Sequence, residues 1–170
     1  YLWCKQQDIP HPKVYNSRQI QPNHFPVVAK PCRGSGSQGV REFNEWKKFE
    51  EEWPAISQTH ILQEHISAQE YTVDVYIDHS GSFVSVIPRK RTWIKGGESV
   101  RASIEQNQLI DYEVKRLIAA LPLRGQNTLQ CFCDGKRVWI LEINPRFGGG
   151  FSLTVEAGAD SPRWLIRECL

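Results

Sequence analysis

Residues 141–150 read LEINPRFGGG. The apolar run Val138, Trp139, Ile140, Leu141 and Ile143 predicts a β-strand buried on at least one face, yet it carries Glu142 and Asn144 two residues apart. Side chains alternate along a strand, so these two point the same way. A carboxylate beside a carboxamide offers oxygen ligands suited to a hard divalent cation such as Mg²⁺. Pro145 cannot donate the next ladder hydrogen bond, which ends the strand where Arg146 and the glycines at 148, 149 and 150 begin. The strand end thus presents two metal-type ligands and one guanidinium at a glycine-rich turn. Glu142 and Arg146 would also make an ordinary surface ion pair, so the pattern gains force only from the rest of the chain.

The strand is preceded by NTLQCFC at residues 127–133 and by Asp134-Gly135, which together predict a hairpin. A two-residue Asp134-Gly135 turn would face Gln130 away from Glu142. A three-residue loop of Cys133, Asp134 and Gly135, with Gly135 left-handed as in a G1 bulge, puts Gln130 on the face of Glu142 and Asn144. The second register is the expected one, because it gathers three oxygen-bearing side chains.

Toward the N-terminus, FPVVAK at residues 25–30 predicts a short strand ending in Lys30, followed by PCRGSGSQGV. Gly34, Ser35, Gly36 and Ser37 let backbone N–H groups approach an anion closely, and Lys30 would supply a point charge to a phosphate. The loop is neither a Walker loop nor a dinucleotide fingerprint, and a flexible surface hairpin would have the same composition. Residues 41–53 predict a helix whose Phe43, Trp46, Phe49 and Trp53 form a core stripe ended by Pro54. ILQEHI at residues 61–66 predicts a strand. EYTVDVYID at residues 70–78 alternates as a half-buried strand with one polar face, and SFVSVIPRKR is its antiparallel partner. Arg89, Lys90 and Arg91 leave that strand either as a solvated edge or as a phosphate clamp, before the GGES loop. An amphipathic helix over residues 105–121 and a helix that turns at Gly158 and restarts after Pro162 complete the reading.

The 170 residues are 40% hydrophobic with a net charge of +2, enough for a substantial core and without a basic stripe for nucleic acid. No apolar run approaches the ~18 residues of a membrane span, so a soluble protein with no membrane partner is expected. Cys4, Cys32, Cys131, Cys133 and Cys169 have neither disulfide-framework nor zinc spacing, and reduced thiols suit a cytoplasmic location. Both ends read as interior to a longer polypeptide.

Taken in order, the strand-end lysine and glycine loop, ILQEHI then EYTVDV, the cations before GGES, and Gln130 followed by LEINPR resemble the ATP-grasp superfamily. The similarity is greatest to the ATP-binding part of the carbamoyl-phosphate-synthase large-subunit type, over residues 25–160 or so. The resemblance implies an α+β fold, with an ATP site between two α+β subdomains and a mainly antiparallel sheet. Residues 1–24 would end a preceding domain and linker, 25–63 would be the small lid subdomain, and 64–170 the large one. It implies Lys30 as phosphate-binding lysine together with the glycine loop. Gln63, Glu64 and Ile66 would lie where backbone groups recognise adenine, and Glu70 at the ribose hydroxyls. Gln130, Glu142 and Asn144 would be ligands of Mg²⁺ or Mn²⁺, and Arg146 the contact to the transferring phosphate. Arg89 and Arg91 would be further phosphate or acyl-phosphate contacts.

The implied activity is an ADP-forming carboxylate–amine ligase that activates a carboxylate or carbamate as an acyl phosphate. Such chemistry gathers negative charge and needs Mg²⁺, Lys and Arg rather than a Ser-His-Asp or Cys-His set. A missing N-terminal domain or partner chain would complete the site. The alternative is a non-catalytic nucleotide-binding or regulatory module of the same fold. The acid and the amine are not written in these residues.

Overall fold

The computed structural model describes residues 2–34 and 36–170, Glu98 through its backbone alone. Ser35 of the glycine loop lies outside the described residues. The chain divides into a unit of Pro12–Ser67 and a unit of Leu2–His11 with Ala68–Leu170. These divisions differ from the expected boundaries at residues 24 and 63. In the structure, helix α1 (Leu2–Gln6) and the segment after it belong to the second unit, where Ile9 joins the core.

In the first unit, β1 (Val14–Tyr15), β2 (Val27–Pro31), β3 (Arg41–Phe43) and β4 (His60–Glu64) form an antiparallel sheet in the order β1-β4-β2-β3. Alternation along β2 buries Val27 and Ala29 against Phe43, Phe49 and Leu62, and leaves Val28 and Lys30 on the other face. The helix expected over residues 41–53 is corrected. Residues 41–43 are a strand paired to β2, and α2 runs Trp46–Ile56. Phe43 reaches the core from the sheet, its ring 5.5 Å from Phe49, so the aromatic stripe comes from two elements. Pro54 does not end α2. Its missing N–H costs one bond near the terminus, and the buried Ile56 and the Ser57 N–H to Trp53 C=O bond (2.9 Å) carry the last turn past it.

In the second unit, β5 (Gln69–Ile77), β6 (Phe83–Lys95), β7 (Glu98–Ile104), β8 (Gly125–Cys133) and β9 (Val138–Asn144) form an antiparallel sheet in the order β7-β6-β5-β8-β9. One face carries Tyr71, Val73, Val75, Leu129 and Cys131. It packs against Ile110, Val114, Leu117 and Ile118 of α3 (Gln108–Ala119). Asn107 sets the start of α3, accepting from the N–H groups of Leu109 and Ile110, later than the expected residue 105. The expected polar, solvated face of β5 is corrected, because Thr72, Asp74 and Tyr76 are all buried. The short helices α4 (Ser152–Glu156) and α5 (Ser161–Cys169) reach that face: Thr154 bonds Asp74, and Trp164 lies against Tyr76 with ring centroids 5.5 Å apart. GGES is the turn and start of a β6–β7 hairpin.

Where β7 leads into α3, Tyr71 donates a 2.6 Å hydrogen bond to Glu105, and Lys90 lies 3.2 Å from the same carboxylate. The Tyr71 bond, with Lys90 second, holds the Glu105 carboxyl below its usual value. A depressed carboxyl stabilises the fold above its unfolded pKa of about 4.3, and that contribution disappears as pH falls through the lower folded value. Tyr71→Phe is therefore expected to cost about 1–2 kcal/mol at pH 7, less than the full worth of a hydrogen bond to a charged group because the Glu105 carboxylate is 40% exposed and screened by water. In urea unfolding the difference between Tyr71→Phe and wild type is expected to shrink toward pH 3.

Candidate functional site

The β8–β9 pair brings Gln130 directly opposite Glu142, and Thr128 opposite Asn144. The expected three-residue loop is corrected: Cys133 pairs with Val138, so residues 134–137 form the connection, with Gly135 left-handed at φ 87°. Uninterrupted pairing from there would set Gln130 against Leu141 and turn Glu142 toward the core beside Val138 and Ile140. The register instead shifts between Gln130 and Cys131, because Leu141 is an extra residue on β9. This bulge leaves Val138, Ile140 and Ile143 on the apolar face and moves Glu142 and Asn144 to the other one. Burying a carboxylate among Leu129 and Cys131 is avoided, which is the physical reason for the shift. Gln130, Glu142 and Asn144 thus share one face, as expected, by a different route.

Across the sheet the same face continues in rows, Arg89–Thr72–Gln130–Glu142 and Ile87–Asp74–Thr128–Asn144. Asn144 Nδ2 donates to Glu142 Oε1 at 2.8 Å, a bond that engages the amide nitrogen and not its oxygen. The set fits a hard cation that takes one or two carboxylate or amide oxygens and completes its shell with water and phosphate oxygens. Among the described residues, no group of three or more His, Cys, Asp or Glu side chains forms a metal-type cluster. With a single carboxylate, the set has little affinity for a lone cation and depends on anionic oxygens from a ligand.

Beside these residues, on the same face, lies a buried ionic knot centred on Asp74, which is 1% exposed. Its Oδ2 accepts from Arg89 Nε at 2.8 Å and from Thr154 Oγ1 at 2.6 Å, and Thr128 Oγ1 lies 2.9 Å from its Oδ1. Arg89 is also 1% exposed, and its Nη2 has no hydrogen-bond partner among the described residues. The glycines after Arg146 pack onto this knot. A Cβ at Gly148 would lie 2.8 Å from Thr128 Cγ2 and 3.4 Å from Arg89 Nη2, and one at Gly150 3.0 Å from Arg89 Nη1. Only glycine allows that approach. Arg146 itself is exposed past Pro145, with Nη1 donating to the Phe147 carbonyl at 3.1 Å.

Two strand positions away, Arg91 pairs with Glu70 and donates to the Gly97 carbonyl at 2.6 Å. Both arginines lie inside β6 rather than leaving it. The expected ribose-binding Glu70 is thus already engaged by a guanidinium.

In the first unit, Lys30 and Gln63 share the sheet face opposite the aromatic core, with Lys30 across from Ile61 and Gln63 across from Val28. Glu64 falls on the other face, its Oε1 accepting from Lys13 N–H at 2.9 Å, and Ile66 follows the end of β4. Gly34, Gly36 and Ser37 are exposed, and Ser37 holds a left-handed φ of 57°. A cavity of about 350 Å³ in the second unit, lined by Ile77, Phe83, Leu123 and Arg124, contains none of the expected residues.

Sequence reading missed Asp74, Thr128 and Thr154. The available signal is Asp74 itself, a carboxylate between valines in the middle of a strand, which alternation alone assigns to the polar face of β5.

An ATP-grasp domain family profile matches residues 1–150. A carbamoyl phosphate synthase large chain of Clostridium acetobutylicum is 26% identical over 136 residues, covering 72% of this chain and 13% of the relative. Among solved structures, a biotin carboxylase–β-γ-ATP complex from Campylobacter jejuni superposes with a TM-score of 0.70 at 17% identity, over 94% of this chain and 42% of that one. N5-carboxyaminoimidazole synthetase from Staphylococcus aureus complexed with ADP gives 0.68 at 16% identity, over 89% and 44%. The chain therefore spans less than half the length of these relatives.

Proposed function

Because the chain belongs to the ATP-grasp domain family, we propose that it is the ATP-binding core of an ADP-forming carboxylate–amine ligase. The observation that carries this reading is the bulged β8–β9 pair, which sets Gln130, Glu142 and Asn144 on one face at a strand end leading into Arg146. When bound, Mg²⁺ would neutralise phosphate charge there, held by those three side chains.

Arg146 meets the transferring phosphate, and Lys30 supplies a second cation to the phosphates. On the first unit, Gly34, Ser35, Gly36 and Ser37 offer backbone N–H groups to phosphate, while Gln63, Glu64 and Ile66 recognise the base. Glu70 bonds the ribose hydroxyls once it exchanges part of its contact with Arg91. Arg89, buried under the glycine turn, acts on the phosphates through the loop it supports. A carboxylate oxygen takes the terminal phosphoryl group of ATP, releasing ADP. An amine then attacks the acyl carbon and phosphate leaves. Positioning and charge carry such a reaction, with little proton transfer asked of the protein.

The test is ADP and phosphate release by the full-length protein with Mg²⁺, ATP, a panel of carboxylates or bicarbonate, and an amine. Release that requires one acid is expected. Mg·ATP binding with no acid-dependent release across the panel would favour the second reading, a nucleotide-binding module that does not ligate.

A further inference from the structure

We propose that Thr128 is a positioning residue, whose hydroxyl sets where the Arg146 backbone sits by bridging it to the buried Asp74 carboxylate. Thr128 Oγ1 lies 2.9 Å from Asp74 Oδ1 and 2.9 Å from the carbonyl oxygen of Arg146. One hydroxyl proton serves two acceptors. One acceptor is fixed, since Asp74 is paired with the equally buried Arg89 guanidinium. The other belongs to the segment that follows Pro145, where among the described residues the backbone leaves the sheet. Thr128 touches this segment a second time, because a Cβ at Gly148 would lie 2.8 Å from its Cγ2 and 3.0 Å from its Oγ1. Thr128 is also the cross-strand partner of Asn144. The same residue therefore neighbours a candidate metal ligand and ties down the candidate phosphate-binding arginine.

Thr154 provides the control. It too donates to Asp74, at 2.6 Å, but from α4. A purely structural role for the knot predicts that losing either hydroxyl has the same consequence. A positioning role predicts that only the loss at Thr128 reaches residues 146–150.

The experiment compares Thr128→Val, Thr128→Ser and Thr154→Val in the full chain by amide hydrogen exchange over residues 146–150 and by Mg·ATP calorimetry. The calorimetric arm alone rests on the proposed function. Exchange in Thr128→Val is expected to speed up about tenfold and Mg·ATP affinity to fall about tenfold, the scale of one lost hydrogen bond. Thr128→Ser and Thr154→Val should stay within about twofold on both readouts. If Thr128→Val does not fold, Thr128→Ala takes its place. Equal acceleration in Thr154→Val, or no rescue by Thr128→Ser, overturns the proposal. Wild type that binds no Mg·ATP overturns the ATP reading instead, and exchange alone then decides the role of Thr128.

Discussion

Asp74→Ala is expected to lower the unfolding free energy of the second unit by about 3–5 kcal/mol, the loss typical of breaking a buried ion pair from one side. Three donors converge on this carboxylate, from β6, β8 and α4. Removing it leaves the guanidinium of Arg89 charged, 1% exposed and without a counter-ion, since arginine does not shed its proton in a protein. It also orphans the hydroxyls of Thr128 and Thr154. Asp74→Asn should be milder, because one acceptor oxygen of similar shape remains. Urea unfolding followed by tryptophan fluorescence gives the comparison. A loss under about 1 kcal/mol for Asp74→Ala would mean that the pair adds no more than a surface bridge does.

The knot also marks where sequence reading stops. The strands whose apolar residues alternate were legible, including β5, the paired runs of β8 and β9, and the strand-end position of Pro145. The burial of the second face of β5 was not, because it depends on Trp164 and Thr154, far along the chain, arriving over Tyr76 and Asp74. Residues 41–43 read as the first turn of a helix because Phe43 fits the spacing of Trp46 and Phe49, and strand pairing with β2 overrode that pattern. The shared face of Gln130, Glu142 and Asn144 was legible as chemistry, while the device that produces it was not. A bulge at Leu141 has no composition signal in an unbroken apolar run. Lys30 and Gln63 fall on one sheet face as parity requires. The engagement of Glu70 by Arg91 is a long-range pairing that no local pattern encodes.

The face carrying Gln130, Glu142 and Asn144 is expected to hold a divalent cation together with the phosphates of ATP. Glu142→Ala combined with Asn144→Ala removes the only carboxylate of that trio and the amide that bonds it. Gln130 alone cannot bind a cation that prefers carboxylate and phosphate oxygens. The fold should tolerate the change, because both side chains are only partly buried on the strand's polar face. The direct measurement is calorimetric titration of ATP, with and without Mg²⁺, into the wild type and the double variant. Wild type is expected to bind Mg·ATP more tightly than ATP alone, and the double variant to lose that difference, about 10–100-fold in affinity, while still binding free ATP. A folded wild type that takes up no nucleotide at millimolar ATP, or a double variant that keeps the full Mg²⁺ dependence, would mean that this face does not hold the cation.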